Sequence, residues 1–214
     1  ARIMTNAQKS EAEYAVKIKS ILSLDKSNLD DIEGAIISSV VPPLTKKVQS
    51  AIKMLYGVEA LIVGPGIKTG INLMVDNPSQ VGADLICACV AAYNNYKPPV
   101  LIADMGTATK LMLVDKNAVF VGVSIIPGVE LSLKALSGGT AQLPQVSLDA
   151  PERVLPRNTV ECMQSGVIFG NASMIDGMFE RVLEEHGNIE SFVATGGYAK
   201  TIVPHCKTKI TLDE

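Results

Sequence analysis

The chain predicts an α/β protein of two related lobes, with mixed sheets flanked by helices. Two observations carry that class. In the first half, short apolar runs such as GAIISSVV (34–41) and EALIVG (59–64) alternate with stretches of helical period, whereas in the second half three apolar runs follow one another between 101 and 126. At 214 residues, 47% apolar and 19% charged, the chain can bury one good core or two small ones. This change of pattern places the lobes at 1–98 and 99–214.

The elements follow in order. Residues 8–23 carry Tyr14, Ile18, Ile21 and Leu22 on one helical face, with Thr5 or Asn6 as the expected cap. The strand 34–41 ends at Pro42 and Pro43, and Leu44, Val48, Ile52 and Leu55 then mark a second helix. After the strand 59–64, PGIKTGINLMVDNP reads as a loop with one short strand, and 79–96 as a third helix with Val81, Leu85, Cys89 and Ala92 inward. A hairpin over 101–115 and a third strand at 118–126 form a meander closed by Pro127 and Gly128. A long helix from about Asn158 to His186, a strand at 191–195 and a short helix beyond Gly196 and Gly197 complete the second lobe. Gly166 and Gly170 lie one turn apart on the long helix, which permits close approach of another helix, either from a second subunit or within the lobe.

Several classes of function are excluded. Every apolar run is much shorter than the roughly 18 residues of a membrane span, and the opening ARIMTNAQKSEAEY lacks the apolar core of a signal peptide. A formal net charge of −3 without a basic block argues against nucleic acid as a partner. Cys87, Cys89, Cys162 and Cys206 form no Cys-x-x-Cys and have no histidine at metal spacing, which reads as reduced thiols in a cytoplasmic protein without zinc.

The stretch LIADMGTATKLMLVD (101–115) carries the first chemical signal, because two apolar strands are joined by Asp104, Gly106, Thr107 and Thr109. These are ordinary hairpin-turn residues. The same small residues also let a polyanion approach backbone N–H groups, with two hydroxyls to add hydrogen bonds and a carboxylate to hold a cation. Asp84 sits within a mostly apolar helix, where it either faces solvent or needs a partner or a cleft. Asn158 and Thr159 open the long helix, as cap or as ligand contacts. Gly196 and Gly197 follow a strand and precede a helix, a route along which a backbone passes close to a nucleotide, with helix capping as the competing explanation.

Taken together, the ordered segments SSVVP, VGPGIKTG, DNPSQVGAD, DMGTATK, IIPGVELSLKAL, TAQLP, RNT, QSGVIFG and ATGG resemble the type III pantothenate kinases from about Arg2 to the C-terminal end. The resemblance implies a two-lobed actin-like, ribonuclease H-like fold of the acetate and sugar kinase superfamily. It implies transfer of the ATP γ-phosphoryl to the primary hydroxyl of pantothenate, giving 4′-phosphopantothenate, the first step of coenzyme A biosynthesis, by a homodimer. Mg2+ and a monovalent cation, K+ or NH4+, are the family's ions. Asp84 matches the general base, with Gly82, Ala83 and Leu85 at substrate-contacting positions. Asp104 matches the monovalent-cation ligand, and Gly106, Thr107 and Thr109 the ATP turn. Thr159 corresponds to a substrate contact made from across the dimer, and Gly196 and Gly197 to adenosine-side glycines.

The chain departs from the family's pattern at the site rather than in the core. The pattern begins with a strand and an Asp-x-Gly-Asn-Thr phosphate turn, and this chain starts after it, so the first lobe is expected to be truncated at its N-terminus. Its Gly-x-Asp-Arg is here Gly82-Ala83-Asp84-Leu85, and a tyrosine nine residues before the base is Val75. Lys110 replaces a threonine, Val123 a glycine and Pro156 the glycine before Asn-Thr. The expected activity is pantothenate kinase. The alternative is a catalytically weakened paralogue serving as a regulatory or structural subunit, including in a hetero-dimer with an active paralogue.

Overall fold

The computed structural model describes residues 3–24, 32–64, 66–138 and 146–213. Packing divides the chain into two compact units, Ala1–Thr69 with Asn77–Cys87 and Gly70–Asp76 with Ala88–Glu214. The division is interleaved, in contrast to a single cut between 98 and 99.

In the first unit, helix α1 (Glu11–Leu24) begins at a reciprocal cap. The Ser10 N–H donates to Glu13 Oε2 (2.8 Å), and the Glu13 N–H donates to Ser10 Oγ (3.3 Å). The cap expected at Thr5 or Asn6 is corrected accordingly, since Asn6 lies in the preceding turn, where its Oδ1 accepts from the Gln8 N–H. Strand β1 (Ile36–Ile37) runs parallel to β2 (Leu61–Ile62). The expected strands 34–41 and 59–64 thus shrink to two paired residues each. Between them, helix α2 (Pro42–Tyr56) uses both prolines in its first turn, where a missing N–H costs nothing. It ends on Gly57 in the left-handed region (φ 70°). Tyr14, Ala15 and Ala51 form the packed seam between α1 and α2, flanked by Ile18, Leu44, Val48 and Leu55.

The expected helix 79–96 is split. Asn77 caps a 3-10 turn at Pro78–Gln80, Val81 is extended (φ −74°, ψ 119°), and helix α3 (Ala83–Asn95) starts only afterwards. A residue with extended dihedrals cannot continue the helical hydrogen-bond ladder.

The second unit is built on a six-stranded sheet. Its strands are β3 (Asn72–Leu73), β4 (Val100–Met105), β5 (Ala108–Val114), β6 (Val119–Pro127), β7 (Ser191–Thr195) and β8 (Thr211–Leu212), in spatial order β3-β6-β5-β4-β7-β8. The antiparallel meander β4-β5-β6 is the one expected, and β7 joins it parallel to β4, pairing Asp104 with Thr195. Alternation sends Leu101, Ala103, Met105, Leu111 and Leu113 to one face, where Val167, Ile168, Ala172, Ile175 and Phe179 of the long helix α5 (Thr159–His186) cover them. On the other face Met112 meets Cys89 of α3, Sδ to Sγ at 3.9 Å. Each fully buried Leu, Ile or Phe here contributes roughly 1.5–3 kcal/mol. Helices α4 (Val129–Gly138) and α6 (Ala199–Ile202) follow β6 and β7 at the same end of the sheet, after Gly128 and after Gly196-Gly197. The mixed α/β class expected from the sequence is the observed one.

Candidate functional site

The β4–β5 turn, the β6–α4 junction and the β7–α6 turn converge at one end of the large sheet, and glycines make that convergence possible. A Cβ on Gly196 would lie 2.6 Å from the Met105 carbonyl carbon, 2.7 Å from its oxygen and 2.8 Å from Asp104 Oδ1, and its φ is +95°. A Cβ on Gly128 would run into the carbonyl oxygens of Thr107 and Gly106. Only glycine allows these backbones to approach so closely. The Tyr198 N–H donates to the Met105 carbonyl (3.1 Å), and its hydroxyl donates to Glu130 Oε2 (2.8 Å) in the first turn of α4. The Lys134 ammonium beside Glu130, together with the Tyr198 hydroxyl, holds that carboxyl below its ordinary range; the bond to Glu130 raises the Tyr198 hydroxyl.

The sequence-derived residues of this unit separate into groups. Asp104, Gly106, Thr107 and Gly196 are brought together around the turn, with Thr107 exposed. Thr109 is buried (1% exposed) beneath it. Gly197 is exposed and open, with nothing within 4 Å of its would-be Cβ. Asp104 and Lys110 stand opposite each other in the β4–β5 register, and Lys110 Nζ is 3.1 Å from Asp104 Oδ2. Sequence reasoning missed Gly128, Tyr198 and this pair. The pair had a signal, because a tight turn centred on Thr107 makes 104 and 110 cross-strand partners.

Thr159 is the exposed first residue of α5, and Asn158 caps the helix by accepting from the Glu161 N–H (3.0 Å). Pro156, Arg157 and Asn158 line a cleft of about 490 Å³ that also includes Arg153 and Glu161. Gly166 and Gly170 are exposed, and neither has an atom within 4 Å of a would-be Cβ.

In the first unit, Asp84 is exposed in the first turn of α3, where a carboxylate is favoured by the helix N-terminus. Its Oδ1 folds back over Gly82 and fills the space a Cβ would need. Ala83 and Leu85 are buried (7% and 8% exposed), so Leu85 offers its stem to the core and no polar atom to a ligand. The expectation that Asp84 lies amid apolar neighbours is thus resolved by helical period, with Ala83, Leu85, Ile86 and Cys89 inward and Asp84 outward.

A glycine-lined meeting of three turns beside a carboxylate and an ammonium can receive a polyanion. The sequence model of the type III pantothenate kinases matches residues 1–181. The type III pantothenate kinase of Halalkalibacterium halodurans is 38% identical over 212 residues, covering 99% of this chain and 84% of that protein. The one from Dictyoglomus turgidum is 45% identical over 195 residues, covering 91% and 76%. A solved structure described as a Baf family transcriptional activator from Campylobacter jejuni superposes with a TM-score of 0.55 at 19% identity over 91% of this chain and 81% of that one, which establishes a shared fold. The chain belongs to the type III pantothenate kinase family.

Proposed function

We propose that this protein transfers the γ-phosphoryl group of ATP to the primary hydroxyl of pantothenate, releasing ADP and 4′-phosphopantothenate, the first step of coenzyme A biosynthesis. The observation that carries this reading is the family match over residues 1–181, supported by relatives of the same description at 38% and 45% identity. These matches favour the kinase over a non-catalytic subunit.

The residues divide the work by their chemistry. Asp84 is the general base. Its exposed carboxylate takes the hydroxyl proton as the new O–P bond forms and the bond to ADP breaks, while Gly82 and Ala83 offer backbone to the acceptor. Exposed Thr107 and the N–H groups around Gly106 and Gly196 bind the ATP phosphates, Gly197 borders the nucleoside, and buried Thr109 supports the turn from below. Phosphoryl transfer asks mainly for such positioning and charge neutralisation. Mg2+ arrives with the nucleotide phosphates and needs no dedicated protein cage. The monovalent position is different, because the ammonium of Lys110 stands on Asp104.

The open face at Gly166 and Gly170 supports a homodimer in which Thr159 serves the partner's acceptor site; a hetero-dimer with an active paralogue would use the same face. Four free cysteines support a cytoplasmic location. No helix among the described residues is long and apolar enough to cross a membrane. The test is turnover of Asp84→Asn against wild type with ATP, Mg2+ and pantothenate. Loss of roughly 10²–10⁴ in kcat with unchanged circular dichroism is expected, and equal turnover would refute the assignment of the base.

A further inference from the structure

We propose that the Lys110 ammonium is the built-in monovalent cation of this protein, so that ATP binding proceeds without K+ or NH4+. The inference rests on the kinase reading above. Asp104 and Lys110 face each other in the β4–β5 register, and Nζ reaches Oδ2 at 3.1 Å. The two side chains keep only 21% and 20% of their surface exposed, so the pair is set into the end of the sheet rather than waving in solvent.

The other carboxylate oxygen lies beside the turns. Oδ1 turns towards the glycine turns, 2.8 Å from where a Gly196 Cβ would stand and 3.5 Å from where a Gly106 Cβ would stand. A free monovalent cation held by Asp104 therefore competes with the Lys110 ammonium for the same carboxylate. Two unit charges about 4 Å apart repel by roughly 1 kcal/mol in water and about 4 kcal/mol at an effective dielectric of 20. The residues present do not fit a free cation at Asp104, and the expectation of K+ or NH4+ there is replaced accordingly.

What Lys110 supplies is chemically close to an ammonium ion, namely one positive charge and three N–H donors. It differs in being tethered by its own backbone across from Asp104. Its local concentration is then independent of the salt in solution. An ordinary cross-strand ion pair would contribute only about 0.2–1 kcal/mol to the hairpin, and would leave any cation requirement of ATP binding untouched. The two roles are therefore separable by experiment.

ATP with fixed Mg2+ is titrated calorimetrically into the protein in potassium chloride and in tetramethylammonium chloride of equal ionic strength, with turnover measured alongside. Wild type is expected to bind equally well in both salts. Lys110→Thr, which removes the ammonium and restores a small hydroxyl, is expected to bind at least roughly tenfold more weakly in tetramethylammonium and to recover in potassium. Lys110→Met, which keeps the stem and fills the space, is expected to be weak in both. A severalfold gain for wild type on adding potassium overturns the inference, and so does a Lys110→Thr variant indifferent to potassium. Should either variant misfold by circular dichroism, the wild-type comparison alone decides. Absence of ATP binding by wild type in both salts would overturn the kinase reading and this inference with it, whereas potassium dependence overturns the inference alone.

Discussion

Replacing Gly196 by alanine isolates the close approach of turns on which the proposed nucleotide site depends. The new Cβ would stand 2.6 Å from the Met105 carbonyl carbon and 2.8 Å from Asp104 Oδ1, where ordinary contact begins near 3.4 Å. Two of its three neighbours are backbone atoms of a fully buried strand residue, which cannot swing aside. The φ of +95° adds the left-handed penalty of roughly 1–2 kcal/mol for a residue with a Cβ. Relief of the clash costs a further 1–3 kcal/mol or so. A destabilisation of about 2–5 kcal/mol is expected, read by urea denaturation. ATP affinity should fall by roughly tenfold or more through the displaced Asp104, about 1.4 kcal/mol in binding. Gly197→Ala is the matched control, because nothing lies within 4 Å of its would-be Cβ and its φ is not in the left-handed region. It should change stability by less than about 0.5 kcal/mol. Indistinguishable behaviour of the two variants would refute the close-approach account of this end of the sheet.

Other outcomes follow from single contacts. Gly128→Ala forces a Cβ onto the Thr107 and Gly106 carbonyls and should also destabilise by roughly 1–3 kcal/mol, measured by the same denaturation. Ser10→Ala removes the α1 cap and should cost about 1 kcal/mol. Asp176 accepts the Lys207 and Thr208 N–H groups at 2.8 and 2.9 Å. Burial pushes its carboxyl up, but these bonds outweigh it and leave it below the ordinary value of 3.8. Its contribution is therefore present above pH 3.8 and is lost as pH falls through the lower folded value. Asp176→Ala should destabilise by roughly 2–4 kcal/mol at neutral pH, with the difference from wild type shrinking in acid. Sedimentation should show a dimer, and a monomer at micromolar concentration would remove the role proposed for Thr159.

How far the sequence was legible depended on whether pattern alone determined the partner. The meander 100–127 and the helix from Asn158 were legible because alternation and capping are local, and both faces of β4 are buried. The runs at 34–41 and 59–64 were apolar enough for long strands, yet Ile36 is 66% and Leu61 52% exposed, and only two residues of each find partners. Apolar content reports burial poorly when one face stays in solvent. The Ser10-x-x-Glu13 capping box is a local pattern, although Thr5 and Asn6 offer competing polar residues closer to the N-terminus. Strand β8 rests on two exposed residues with no periodicity to announce them. At the site, residue types pointed to Asp104, Gly106, Thr107 and Gly196, whereas the role of Gly128 emerges only from the fold, since its constraint comes from Thr107 and Gly106 in a turn far from it in sequence.

Phosphoryl transfer to pantothenate is tested at its root by identifying the product. With ATP, Mg2+ and pantothenate, phosphorus NMR and mass spectrometry should show one phosphomonoester on the primary hydroxyl for each ADP formed. ATP consumed without a phosphorylated acceptor, or no consumption by the folded protein, would contradict the account.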